Sequence, residues 1–177
     1  MATWNTRGLR GSTLEDMVNY SIEKYREKNL ALIQKIPTPI KPINIDKETR
    51  HITLAYFDQK STVDYIGVVQ GIPVCFDAKE CAVDTIPLQN IHEHQVIFMR
   101  DFEQQGGVSF ILLYLSHRDE AYYLPFRDVL KFWNRAAEGG RKSFLYSELD
   151  QNYRIHGSHG LTVHFLEQIQ RDLDSRE

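Results

Sequence analysis

Two acids and a lysine raise the first question. Asp64 opens the stretch DYIGVVQGIPVCFDAKE, and Asp77 and Lys79 stand two residues apart near its end. Side chains two apart on a strand leave the same face, so Asp77 and Lys79 emerge together while Phe76 and Ala78 point the other way. Between the acids, IGVV and IPVCF are short apolar segments joined at QG, the form of a hairpin with a glycine-bearing turn. Folding back there would set Asp64 beside Asp77. Two carboxylates and an ammonium at one point suit phosphodiester hydrolysis. Hard oxygen ligands hold Mg2+ next to a phosphate. The ion polarises the phosphoryl group and lowers the pKa of a bound water, and a neighbouring ammonium steadies the developing charge. The same letters also describe a solvated salt bridge at a strand end, which is the commoner occurrence of acid-x-Lys.

The elements that must position these residues read as follows. Leu14, Met17, Val18, Ile22 and Tyr25 form an apolar stripe at helical spacing, and Ser12 with Glu15 makes a capping box, predicting a helix from about Thr13 to Leu32. Pro37, Pro39 and Pro42 forbid a helix in ALIQKIPTPIKPINI and favour extended or edge chain. INIDKETRHITLAYF alternates around the polar tip DKETR, a pair of extended arms projecting from the body. LQNIHEHQVIFMRDFEQQ predicts a helix ending at Gly106 and Gly107. VSFILLYLS and AYYLP read as strands, FRDVLKFWNRAAEGG as a helix, and LTVHFLEQIQRDL as a last amphipathic helix. Strands bracketed by helices make an α/β fold with a mixed sheet. Phe110, Tyr114, Phe132 and Trp133 fall on patterns that bury them. Packing is also the simpler reading of Tyr56 and Phe57, with base stacking the alternative. His92 and His94 would diverge by about 200° on a continuous helix and so could not share an ion.

Composition sets bounds. At 177 residues, 42% hydrophobic and 25% charged, the chain is expected to form one domain over 1–177 with a real core, not a disordered polymer. No apolar run approaches the roughly 18 residues of a membrane span, and MATWNTRGLRG lacks a signal-peptide core, so a soluble, cytoplasmic protein is expected. Cys75 and Cys81 read as free thiols, consistent with that compartment. The net charge of −3 is uneven: residues 1–60 carry +3 and the remainder −6. A basic first third suits phosphate contact and an acidic remainder suits cation collection, although many enzymes share such a balance.

Larger words give the pattern its context. RGSTLEDMVNYS, KYREKNLALIQKIPTPI, AYF, STVDYIGVVQG, VCFDAKE, IPLQNIHEHQ, GGVSFILL, YYLPF and FW occur in that order. Through them the chain resembles, over nearly its whole length, the RecU family of Holliday junction resolvases within the PD-(D/E)XK nucleases. The resemblance implies a restriction-endonuclease-like mixed sheet flanked by helices, with a protruding β stalk at about 42–57. It implies a homodimer that resolves four-way DNA junctions in recombination and repair by paired, metal-dependent cleavage, with a recombinase as a further partner. Carried over by position, the metal set falls on Thr62, Asp64, Asp77 and Gln95, with Mg2+ or Mn2+ as the cation. Lys79 matches the lysine that stabilises the transition state, and Lys41, Lys47 and Arg50 would face DNA phosphates from the stalk. Glu80 belongs to the same AKE word, either assisting from the sheet edge or standing as a surface acid.

Three departures bear on that expectation. The family commonly has Glu at the position of Asp77, one methylene longer; the loop ECAVDTI is one residue short; and the basic amino-terminal extension is nearly absent. Two other readings therefore stand beside a resolvase: a general PD-(D/E)XK phage nuclease acting on flaps, and a branched-DNA-binding modulator of a recombinase that cleaves little.

Overall fold

Helix α1 (Thr13–Glu27) buries Leu14, Val18 and Tyr25, the stripe its spacing predicts. This computed structural model describes residues 13–58, 62–158, 160 and 162–176, so Ser12 of the capping box lies outside the described residues. The helix stops five residues before the expected Leu32. Asn29 takes a left-handed φ of 56°, and strand β1 (Ala31–Lys35) then needs an extended backbone to carry Ala31 and Ile33 into the core.

Strands β2 (Ile40–Ile45) and β3 (Ile52–Phe57) pair antiparallel as a separate two-stranded ribbon, the projecting arms expected around DKETR. Asp46 builds its tip: the carboxylate accepts the backbone N–H groups of Glu48 (2.8 Å) and Thr49 (3.1 Å), and Arg50 turns the chain at φ 59°.

The body is a six-stranded sheet containing β1, β4 (Tyr65–Val69), β5 (Ile72–Cys81), β7 (Val108–Leu115), β8 (Glu120–Pro125) and β10 (Arg154–Ile155). Its spatial order is β1-β4-β5-β7-β8-β10. Only β5 and β7 run parallel within it, so the sheet is mixed. The hairpin read from QG is present: Gln70 and Gly71 both take positive φ, 48° and 87°, and join β4 to β5. Gly67 permits the approach of β1, since a Cβ there would lie 2.3 Å from the Leu32 carbonyl oxygen.

Helices cover both faces. α1 and α4 (Leu166–Asp174) pack with Tyr65, Val74, Phe76 and Phe110 on one side. α2 (Glu93–Gln104) and α3 (Phe126–Ala137) pack with Cys75, Ile111, Leu113 and Leu124 on the other. A small sheet of β6 (Thr85–Pro87) and β9 (Ser143–Leu145) flanks the second layer. Alternation along β5 is thus strict: Phe76 and Ala78 face one layer, Cys75 and Cys81 the other.

Two predicted helices are shorter than expected. The α2 segment begins as a separate 3-10 turn, Leu88–Asn90, and α2 proper starts at Glu93. Extended backbone at Ile91 and His92 separates them. In the last helix, Val163 and Phe165 are buried ahead of α4: Ser21 donates to the Val163 carbonyl (2.6 Å), and the Phe165 N–H donates to Tyr25 Oη (3.1 Å). Those backbone groups are committed to α1 and leave the helix to begin at Leu166. Phe110 and Phe132 are fully buried as read, whereas Tyr114 and Trp133 are half-buried, and Tyr56 and Phe57 are exposed rather than packed, at 51% and 76%. Both cysteines are free and buried.

Candidate active site

The register of the central hairpin sets the acids opposite one another. Tyr65 pairs with Phe76, and one step further along the ladder Asp64 meets Asp77. The two exchange bonds with each other's strands: the Asp64 N–H donates to Asp77 Oδ1 (2.9 Å), and the Ala78 N–H donates to Asp64 Oδ2 (3.0 Å). Neighbouring β1 fixes the same point, since the Ile36 N–H donates to the Asp64 carbonyl (2.8 Å).

Asp77 has no exposed surface, yet lies 2.6 Å from the Lys79 ammonium at Oδ2, with Lys79 21% exposed. A buried carboxylate without a positive partner would cost several kcal/mol, so the pair explains how an acid is tolerated at the centre of the sheet. Asp64 feels what remains of that crowding. Burial first, and the neighbouring Asp77 charge second, push its carboxyl up to about 6. Two adjacent acids with one shared ammonium are short of positive charge.

Gln95 closes the cluster from the other layer. It is the third residue of α2, 6% exposed, and its Nε2 donates to Asp77 Oδ2 at 2.7 Å. Its Oε1 accepts the backbone N–H of His92 (3.0 Å) at the helix start. That second bond has a local sequence signal, Gln three residues after the cap in HEHQ, which is the reciprocal half of a capping box. Because His92 precedes the helix in an extended conformation, its ring does not diverge from His94. The two stack at 5.4 Å with planes 12° apart.

Thus the structure brings Asp64, Asp77, Lys79 and Gln95 together. Thr62 is half-buried, two residues ahead of Asp64. Lys41, Lys47 and Arg50 stand apart on the exposed ribbon, where Lys41 pairs with Asp58 (2.5 Å) and the other two occupy the tip. Among the described residues, no group of three or more His, Cys, Asp or Glu side chains could hold a metal ion. The acid content of the site is therefore two carboxylates, the number that suits Mg2+ retaining several waters.

Sequence reading missed two supports. Glu80 Oε1 accepts the Leu14 N–H (2.5 Å), so the acid of the AKE word caps α1 from across 66 residues. The short loop after Lys79 is clasped at Asp84 by His117 and Arg118, each at 2.6 Å, which holds that carboxyl well below its usual range. Neither interaction leaves a local sequence pattern.

The chain is similar to several known proteins. The family described as "Recombination protein U" matches residues 9–171. A protein of Limosilactobacillus reuteri named "Holliday junction resolvase RecU" is 39% identical over 152 residues, covering 83% of this chain and 74% of that one. One of the same name from Lactococcus lactis is 38% identical over 169 residues (93% and 78%). A third, from Oceanobacillus iheyensis, is 43% identical over 141 residues (77% and 72%). A solved Archaeoglobus fulgidus structure, titled as the Holliday junction resolvase Hjc, aligns at TM-score 0.37 and 11% identity over 63% of this chain and 74% of that one, too remote to carry an argument.

Proposed function

The chain belongs to the recombination protein U family, and from that membership we propose that it is an endonuclease that resolves four-way DNA junctions. The observation that carries the reading to these residues is the abutment of Asp64 and Asp77 with the Lys79 ammonium 2.6 Å from the second acid. It is a site for a phosphodiester and a divalent cation.

The donors suit Mg2+ or Mn2+: hard carboxylate oxygens, two adjacent acids, and one of them pushed up to about 6 by burial first and by the neighbouring Asp77 charge second. When bound, the cation supplies Lewis acidity toward the phosphoryl group and a water of lowered pKa. Asp64 and Asp77 would hold it, with Thr62 and Gln95 completing the wall. The Lys79 side chain is 21% exposed, and its ammonium would turn from Asp77 to a non-bridging phosphate oxygen, where it would offset the charge that builds in the transition state. Asp77 is one methylene short of the family's usual Glu, and the bonds from Asp64 N–H, Gln95 and Lys79 hold it in place.

Four-way junctions present two equivalent strands, so paired cutting calls for two sites related by a two-fold axis. The ribbon supports a homodimer. Ile43, Leu54 and Phe57 are 61%, 54% and 76% exposed on it, and an isolated two-stranded sheet is marginal in water without cover. Lys47 and Arg50 at its tip would meet phosphates near the branch point, a shape-based recognition. Among the described residues no helix is long and apolar enough to cross a membrane, in keeping with a protein that works on DNA in the cytoplasm.

The test is incubation of the purified protein with labelled four-way junction, flap and plain duplex in Mg2+, Mn2+ or chelator, alongside Asp64→Asn. Paired nicks in the junction, abolished by chelator and by the substitution, are expected. Flap cutting in preference would make it a general nuclease, and tight junction binding with no cleavage in either metal would make it a binding protein. A monomer by sedimentation equilibrium would remove the dimer.

A further inference from the structure

Of the FW pair, only Phe132 is fully committed to the core. It stacks on Phe144 at 4.4 Å with planes 3° apart. Trp133, about 100° further round α3, is half-buried at the edge of that core, and among the described residues no other ring stacks on it. It lines a cavity of about 650 Å³ between the end of α3 and the 3-10 turn Leu88–Asn90, within the size range of small-ligand clefts. Leu88, Ile91 and Ala136 make its walls apolar, and Gln89, Glu93 and Lys142 bring polar groups to it.

The cavity shares a wall with the acid cluster. Ile91 lines the cavity and, with Asn90, also lines a narrow gap against Lys79 and Glu80. His92 lines the cavity too, and its N–H donates to Gln95 Oε1 (3.0 Å) while Gln95 Nε2 donates to Asp77 (2.7 Å). Only the short segment 88–92 separates the two. A strand whose phosphodiester lies at Asp64, Asp77 and Lys79 would bring its next nucleotides to the cavity mouth.

The lining favours a nucleobase over an aliphatic group. A base offers a flat π-face to an indole, and an edge of donors and acceptors. Gln89 supplies both kinds, Glu93 accepts and Lys142 donates; an aliphatic occupant would leave all three unanswered. Lys142, which is exposed, also offsets the repulsion between Glu93 and a phosphate. A base must leave its stack to enter, and that costs least where pairing is already interrupted, as at a branch point.

We propose that this cavity is a nucleobase subsite, taking an unpaired base of the cleaved strand next to the scissile bond, with its face on Trp133 and its edge toward Gln89. The assignment rests on the junction-nuclease reading of the acid cluster. Stacking accepts any base, so the subsite grips the strand first, and discrimination among bases falls to Gln89 and Glu93.

A double-mutant cycle between protein and DNA tests it. Junctions with a single abasic nucleotide at successive positions beside the cut are bound in chelator, so that cation affinity does not enter. At one position the missing base is expected to weaken wild-type binding about tenfold, Trp133→Ala to weaken the intact junction by a similar factor, and the two together to cost little more than either. Trp133→Phe, which keeps a ring, is expected to restore most of the loss. Losses that multiply at every position would overturn the assignment, and unchanged junction affinity in Trp133→Ala would overturn it in favour of a protein side chain as occupant. Should Trp133→Ala fold poorly, the wild-type protein answers alone: 5-iodouracil at the sensitive position is expected to photocrosslink to Trp133, and crosslinking only elsewhere would refute the placement. If wild-type protein neither binds nor cuts four-way junctions, the nuclease reading falls and the subsite with it; binding and cutting that ignore the whole abasic series remove the subsite alone.

Discussion

If the site takes the divalent cation proposed for it, the elevated carboxyl of Asp64 makes that affinity a function of pH, with a sign and size that follow from the site. A cation bound between Asp64 and Asp77 needs both ionised, so the proton on Asp64 competes with it. With that group at about 6, roughly 3% of sites carry the proton near pH 7.5, about half near pH 6 and about nine in ten near pH 5. Mn2+ affinity should therefore be almost flat above about pH 7, be halved near 6 and fall roughly tenfold by 5. Calorimetry in two buffers of different ionisation enthalpy would read the same fact as proton release, about half a proton per ion near pH 6 and almost none near 7.5. Without cation the sign reverses. The folded-state pKa lies above the unfolded value of about 3.9, so the protonated carboxyl favours folding, fully so below about pH 4, and that contribution is lost as pH rises through about 6. It is on the order of 2 kcal/mol, and the difference in unfolding free energy between wild type and Asp64→Asn isolates it. Affinity that stays level from pH 7.5 to 5, or an unchanged pH dependence in Asp64→Asn, would refute the argument that burial and Asp77 control this group.

Two further outcomes test the supports. Glu80→Ala removes the acceptor of the Leu14 N–H; it should cost about 1 kcal/mol, lower the thermal midpoint by roughly 2–4 °C and speed hydrogen exchange in the first turn of α1. An unchanged midpoint and exchange rate would mean that this bond contributes nothing. Replacing Lys47 and Arg50 by Ala should weaken binding to junctions of any sequence alike, and flatten the dependence of log affinity on log salt by about 0.9 for each phosphate that the tip no longer neutralises. If the slope is unaltered, the tip does not touch phosphate.

How much of this is legible in the sequence depends on the range of the forces involved. The hairpin from Tyr65 to Cys81 can be read because its signals are local: alternation fixes the face, and a turn at Gln70 and Gly71 fixes the register. Given that register, the meeting of Asp64 with Asp77 follows without any tertiary information. The end of α1 falls five residues short of its expected place because helical propensity continues through Lys28 and Leu30, while burial of Ala31 and Ile33 beside β4 draws the chain into the sheet. The last helix departs from its pattern in the same way at Val163 and Phe165, whose backbone groups bond to α1 residues about 140 positions earlier.

At the acid cluster the distinction becomes chemical. A carboxylate at the middle of a sheet is readable as a candidate for function because burial disfavours its charge. Of the groups that make the charge tolerable, Lys79 is readable from strand alternation because it lies on the same face, whereas Gln95 arrives from a different layer. Lys79 contributes charge from a side chain that is 21% exposed. Gln95 contributes a neutral donor and cannot move without surrendering the His92 N–H. On the proposed reading, such a site would exchange its ammonium for a divalent cation at Asp77 while the carboxylate keeps its orientation. A cluster of charged side chains alone would not allow that, because the arriving cation would then compete with every group that positions its ligand.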